Sequence, residues 1–278
     1  MYSHCKHKDS HDEFLKSDDA LFHYTRSSVA LEYILDSKLF KFSLLNNTND
    51  PYEYKEKIFM ATGWGWDECV EKNINLAKEN INKILKKQVV FSSFCCNSSK
   101  NGNPIYGYSR PRMWSQYGEG HKGVCLVFSK KDISNTLEHD YGRESYVIFQ
   151  DSMKYKDNLI TGSRHHCLCA DKDTFEKDTP YNFACKHIEA YYKDMFFCKQ
   201  MDYKDEHEYR IILLTKSDRA LDDNGIYINI ESCLKGIILG DSFPKVYYPL
   251  IKDICKNLKI VLKYFHYEAG EFLLLDKS

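Results

Sequence analysis

Three groups of residues in this 278-residue chain have the types and spacing for chemistry. The first is His23-Tyr24-Thr25, inside the run LFHYT. In a strand, period two buries Phe22 and Tyr24 on one face and turns His23 and Thr25 to the other. A histidine projecting from a strand that leads straight into a helix suggests a site, although strand histidines are also common as half-buried packing groups. The second group is Asp205–Ile212, DEHEYRII. As a strand it places Glu206, Glu208 and Arg210 on one face, with His207, Tyr209 and Ile211 on the other. Two carboxylates beside a guanidinium repel each other and resist desolvation, so they need a reason to be buried. A solvated edge with an Arg–Glu pair is the plain alternative. The uniformly apolar Ile211–Leu214 favours a central strand with its charges at the mouth. The third group is MWSQYGEGHKG, Met113–Gly123, where Trp114 and Tyr117 lie three apart and share a helical face. They could wall a cleft, and for Trp114 core packing is the safer reading.

Other chemistries find little support. His165-His166-Cys167-x-Cys169 and Cys185-x-His187 contain metal-ligand types but not the paired CxxC spacing of structural zinc. There is no glycine-rich phosphate loop and no GxSxG elbow. The expectation is therefore a site without metal.

The elements that must carry these groups can be read from periodicity. A strand at Leu21–Thr25 leads into a helix with Leu31, Ile34, Leu35 and Leu39 on one stripe and Ser27 or Ser28 as N-cap. A second strand, Leu39–Leu45, contains Phe42 and Ser43, and the chain then turns through Asn49-Asp50-Pro51. Asp67–Lys87 reads as a helix, with Val70, Ile74, Ala77, Ile81, Ile84 and Leu85 at helical spacing. Strands are expected at Gln88–Cys95, Gly123–Ser129, Ser145–Gln150, Glu208–Thr215, Leu234–Gly240 and Leu258–Phe265. Asn97–Pro111 is marked as a loop, Arg112–Gly118 as a short helical turn and Lys186–Lys199 as a helix. Residues 1–19 read as a frayed polar leader. Residues 20–278 read as a single α+β domain with a surface insertion near 151–184. Helices early and in the middle, with strands late, argue for mixed, mostly antiparallel sheets with flanking helices rather than a doubly wound sheet.

Composition narrows the class. An apolar fraction of 43% with 14% aromatics supplies a sizeable core. Net charge is −1, so no broad basic field exists to hold nucleic acid non-specifically. No run approaches the length of a membrane span. Eleven cysteines, an odd count without regular spacing, fit reduced thiols in a cytoplasmic protein.

The segments HYT, NDPYE, FSSFCCN, MWSQYGEGHKGVCLVFS, KDEHEYRIIL and LKGIILG occur in an order that resembles a bacterial family, domain of unknown function 2971, from Leu21 to Gly240. That resemblance implies proximity to phage-defence and toxin genes and no particular chemistry. A looser resemblance, to the ADP-ribosyltransferase superfamily, does imply one. There a first-strand histidine binds the ribose beside nicotinamide, and a late-strand glutamate contacts the ribose as the glycosidic bond breaks. His23 and Glu208 match those positions, with Glu206 a rival to Glu208. Ser43 or Phe42 would stand at the second-strand position, but the usual signature there is missing.

The resulting expectation is an ADP-ribosyltransferase-like α+β enzyme that cleaves NAD as substrate, with no metal, acting as a toxin or phage-defence effector. Glu208, Glu206 and His23 are its expected catalytic residues. His23, Tyr24, Thr25, Ser43, Asn49, Asp50, Trp114, Tyr117 and Arg210 are expected to bind NAD. The acceptor, whether water, protein or nucleic acid, is open, as is the oligomeric state. Two alternatives stand beside it: a metal-independent nuclease using His23, Glu208 and Arg210, and a non-catalytic module sensing a nucleotide or phage protein. Transferase chemistry needs His23 and Glu208 in one cleft, whereas a nuclease should gather several Lys or Arg there.

Overall fold

A computed structural model of the chain describes residues 10–48, 50–142, 144–159, 164–222, 224–268 and 271–276. Asn49, expected in the site, lies outside the described residues.

Strand-forming runs assemble into a ten-stranded sheet. Its main path is Ile226–Asn229, Leu39–Leu44, Val89–Cys96, Ala20–Thr25, Val124–Ser129, Leu234–Leu239, Val261–Glu268 and Glu271–Leu275. Glu208–Thr215 lies against Val89–Cys96 along its length and carries Tyr146–Ser152 on its outer side. Among the described residues, only Leu234–Leu239 and Val261–Glu268 run parallel in this sheet, and the helix Tyr248–Leu258 makes their crossover. The expected mixed, mostly antiparallel architecture with flanking helices is therefore present.

Val89–Cys96 is the hub. One flank is shared: Leu39–Leu44 pairs at its start (Ser43 with Phe91), and Ala20–Thr25 pairs at its end (Phe22 with Cys95). The other flank belongs to Glu208–Thr215, with Glu208 opposite Cys95 and Arg210 opposite Ser93. Cross-strand partners point the same way, so Phe22, Cys95 and Glu208 share one face, and so do Ser93, Arg210 and Ser43. The opposite face carries Leu21, Phe94, Ile211 and Leu213.

Both faces are covered. Helices Lys130–Tyr141 and Tyr248–Leu258 press Ile133, Leu137 and Ile251 onto the Leu21 face, with Phe40, Phe42 and Phe128. On the Glu208 face, helices Glu68–Lys87 and Pro180–Phe196 bring Ile81, Ile84, Leu85, Ala184 and Ile188 against Val89, Ile212 and Leu214. All six apolar positions expected on the Glu68–Lys87 stripe are buried, and Asp67 caps that helix by accepting from Val70 N at 2.8 Å.

Several expectations need correction. The helix after the first strand widens to a π-turn over Val29–Leu35, and neither serine caps it with its own side chain. Its first turn is held from elsewhere: the Glu119 carboxylate accepts from Ser27 N at 3.0 Å and Ser27 Oγ at 2.8 Å. Leu39 is in the strand and half-exposed. Within 151–184, Met153, Leu159, His165, Leu168 and Ala170 are buried. Of the expected leader, residues 10–19 are described and carry a helix Ser10–Leu15 whose Leu15 is buried. Among the described residues, no helix is long and apolar enough to cross a membrane.

Candidate functional site

Four of the quoted segments converge on the Glu208 face. Asp50 begins the short helix Pro51–Tyr54, accepting from Tyr52 N at 2.9 Å through Oδ1, with Pro51 in the first turn. One turn on, Glu53 ion-pairs with Arg210 Nη1. The hub strand contributes Ser93, whose hydroxyl donates to Glu208 Oε1 at 2.5 Å. Just past the helix Pro111–Gln116, Tyr117 donates to Glu206 Oε1 at 3.0 Å. The charged strand brings Glu208 and Arg210, joined at 2.6 Å through Nε.

Lys199 ties the group together. Its Nζ lies 3.1 Å from Glu206 Oε2 and 2.6 Å from Glu208 Oε2, the second an ion contact rather than an aligned hydrogen bond. The three-residue pairing of Cys198–Gln200 with Lys154–Lys156 delivers it, and the ring of Tyr203 sits 5.0 Å from its Nζ. A 3-10 segment, Met201–Glu206, follows and ends at His207 with a left-handed φ of 42°. Glu206 and Glu208 are each 4% exposed and Arg210 1%. The directly contacting set is thus Glu53, Glu206 and Glu208 against Lys199 and Arg210.

Charge settles the protonation states. Burial would raise the proton affinity of Glu208, but Arg210 and Lys199 reverse this and hold its pKa at about 2. Burial acts against the charged form of Lys199 too, and Glu208 outweighs it, so the ammonium is held more firmly than usual. The Tyr117 phenol is pushed up by burial and then by the Glu206 charge, so it stays a hydrogen-bond donor. Asp50 differs from Glu208: burial raises its pKa, and Oδ2 is buried without a partner.

His23 is not part of this group. Cross-strand register puts it on the opposite face from Glu208, beside Phe40 (ring centroids 4.8 Å) and Phe94 (5.9 Å). Its Nδ1 pairs with the Ser93 carbonyl at 3.1 Å, and burial lowers its proton affinity. The expected His23–Glu208 cleft therefore does not form, because period two sends His23 into the apolar layer that Phe40 and Phe94 fill. Thr25 is buried, and by alternation it falls on the His23 face. Tyr24 and Trp114 are core residues as well. Tyr24 donates to the Gly107 carbonyl at 2.5 Å and packs edge-on to Trp114. Trp114 is 0% exposed, and its indole N–H donates to the Tyr108 carbonyl at 2.8 Å. Ser43 lies on the site face beside Phe91, whose ring is 4.9 Å from the Arg210 guanidinium carbon.

Of the expected residues, Glu206, Glu208, Arg210, Tyr117 and Asp50 come together. Lys199, Glu53, Ser93 and Tyr203 were missed. Lys199 had a faint signal, a single cation inside the apolar run MFFCKQM. The histidines of 165–187 bond elsewhere: Tyr52 Oη lies 3.1 Å from His165 Nε2 and 3.4 Å from His166 Nε2, and His187 Nε2 donates to the His165 carbonyl at 2.9 Å. Among the described residues, no group of three or more His, Cys, Asp or Glu could hold a metal ion.

Comparison with curated proteins and with solved structures yields no match. A family model does match residues 113–211, a stretch that runs from Met113 through Tyr117, Lys199, Glu206 and Glu208 to Arg210. The HYT, NDPYE, FSSFCCN and LKGIILG segments lie outside it. Over those residues the chain is similar to the family described as protein of unknown function, DUF2971.

Proposed function

We propose that the chain cleaves the bond between nicotinamide and ribose in NAD, using the carboxylates Glu206 and Glu208. One observation carries this reading: two carboxylates at one strand mouth share a single buried ammonium, with tyrosines 117 and 203 beside them. Departure of nicotinamide leaves positive charge on the ribose, as in glycoside cleavage. A preorganised carboxylate in a water-poor site stabilises that charge more than solvent would. Glu208, ionised at any ordinary pH, supplies a fixed negative potential, and Glu206 with its Tyr117 partner stands nearer the tyrosines.

Phosphodiester chemistry fits less well. Lys199 and Arg210 are already committed to carboxylates, and carboxylates outnumber cations in the contacting set. A phosphodiester seated at these carboxylates for cleavage would meet repulsion before it met a cation. The transferase-type pairing of a first-strand histidine with a late-strand glutamate is absent from this proposal, since His23 faces away.

Loss of cellular NAD would make such an enzyme a toxin or phage-defence effector. The test is incubation of purified protein with NAD and chromatography for nicotinamide. Release above a no-protein control is expected. Binding of NAD with no release would leave a sensor, and neither binding nor release would end the reading.

A further inference from the structure

Asp50 stands apart from the other carboxylates of the site. Glu53 is held by Arg210, Glu206 by Lys199 and Tyr117, and Glu208 by Arg210, Lys199 and Ser93. Asp50 spends Oδ1 on the helix cap and leaves Oδ2 buried with no partner, in a residue 7% exposed. Capping uses only Oδ1 and leaves the burial of Oδ2 unexplained. A buried acceptor without a donor costs stability and calls for an occupant. Its surroundings show where it sits: Glu53, Lys199 and Arg210 act on its charge, and Asp50 in turn acts on Tyr203 together with Lys199 and Glu206.

We infer that Asp50 is the general base that accepts the proton of an attacking water, which makes the site a hydrolase rather than a transferase. This rests on the NAD reading above and names its acceptor. The chemistry balances without further groups. When the C1′–N bond breaks, its electron pair goes to the pyridinium nitrogen, so nicotinamide leaves neutral and needs no acid. The water oxygen bonds to C1′, and its proton passes to Asp50 Oδ2 and then to solvent. Nicotinamide, ADP-ribose and one proton result. The reaction thus moves one proton, and the site has one carboxylate with an unoccupied oxygen to receive it. The raised proton affinity of Asp50 suits the role, since a base works best when its pKa lies near the working pH.

The test is Asp50→Asn, which keeps the cap because asparagine serves as well as aspartate there. Nicotinamide release should fall by roughly 10²–10⁴, the usual contribution of a general base. The wild-type rate should climb with pH through the titration of Asp50, and the residual rate of the variant should not. A second measurement needs no turnover. Wild type must ionise a buried carboxyl as pH rises, among Tyr52, Glu53, Lys57, Lys199, Tyr203 and Arg210, and the variant need not. The melting temperature of D50N should therefore gain on wild type from pH 4 to pH 8. Wild-type release matched by D50N at every pH overturns the assignment and leaves NAD cleavage standing. A gap in melting temperature that stays constant with pH also overturns it. ADP-ribose found attached to protein instead of free overturns water as the acceptor. No release by wild type overturns the NAD reading and the base role with it.

Discussion

Replacing Glu208 with glutamine separates two effects that the sequence had merged. The substitution keeps size and shape, so from the strand alone it reads as a clean loss of charge at a catalytic position. Within the structure the same carboxylate balances two buried cations, with Arg210 Nε and Lys199 Nζ each at 2.6 Å. Its pKa falls from 4.5 in the free side chain to about 2. At about 1.4 kcal/mol per tenfold change in proton affinity, that amounts to roughly 3 kcal/mol. Breaking a buried pair by removing one partner costs about 3–5 kcal/mol, in agreement. For a domain of this size, each kcal/mol lowers the melting temperature by about 2–4 °C. The expected drop is on the order of 10 °C at pH 7, measured by calorimetry. The sign with pH is also set. A carboxylate with a lowered folded pKa gives stability that is present above 4.5 and disappears as pH falls toward 2, so the gap between variant and wild type should close on acidification. Glu206→Gln is the control, since Lys199 keeps Glu208 and the amide oxygen still accepts from Tyr117; it should cost about 1 kcal/mol. At 20 °C, where the E208Q variant remains folded, nicotinamide release should fall by about 10²–10³. An E208Q protein that melts within 2 °C of wild type would refute the ion-network argument. Melting as expected with full activity would leave Glu208 as a structural partner of Arg210.

His23→Gln should leave nicotinamide release unchanged and lower stability by about 1 kcal/mol through lost packing on Phe40 and Phe94; a large fall in rate at an unchanged melting temperature would return His23 to the site. Of the ten described cysteines, Cys69 and Cys169 are exposed. These two should react first with a thiol reagent at pH 8, while Cys95, Cys125, Cys233 and Cys255, with thiol pKa values raised by burial, should wait for unfolding, as peptide mapping of labelled protein would show. Gly225→Ala should destabilise by about 1–3 kcal/mol in a denaturant melt, because its φ is +70° and an added Cβ would stand 2.1 Å from the Phe42 carbonyl oxygen.

Local pattern was enough to determine much of the scaffold. The stripe from Val70 to Leu85 specified a helix and its buried face, because apolar spacing of 3.6 can be satisfied in only one way. The strand Glu208–Thr215 was legible to the residue, since its apolar run ends where its charges begin. Alternation correctly placed Glu208 with Arg210 and put His23 opposite Phe22 and Tyr24, whereas Glu206 reaches the group from a 3-10 segment before the strand. Weak patterns failed: Lys130–Tyr141 buries only Ile133 and Leu137, too little to announce a helix, and the short pairings within 151–184 gain their apolar partners from distant segments.

Composition of the site belonged to tertiary structure. Alternation says which residues share a face of one strand, but not which face of that strand meets which face of another. That depends on register across Val89–Cys96, where Phe22, Cys95 and Glu208 fall in one row and leave His23 behind the sheet. Lys199 showed only faintly and Glu53 not at all, for a related reason. Each reads alone as an ordinary charge, and only when the chain brings them within a few ångströms of Glu208 and Arg210 does burial in a low dielectric turn them into a network. Asp50 could be named as a turn residue from its place before Pro51. Its unoccupied oxygen exists only because the folded chain has closed over it.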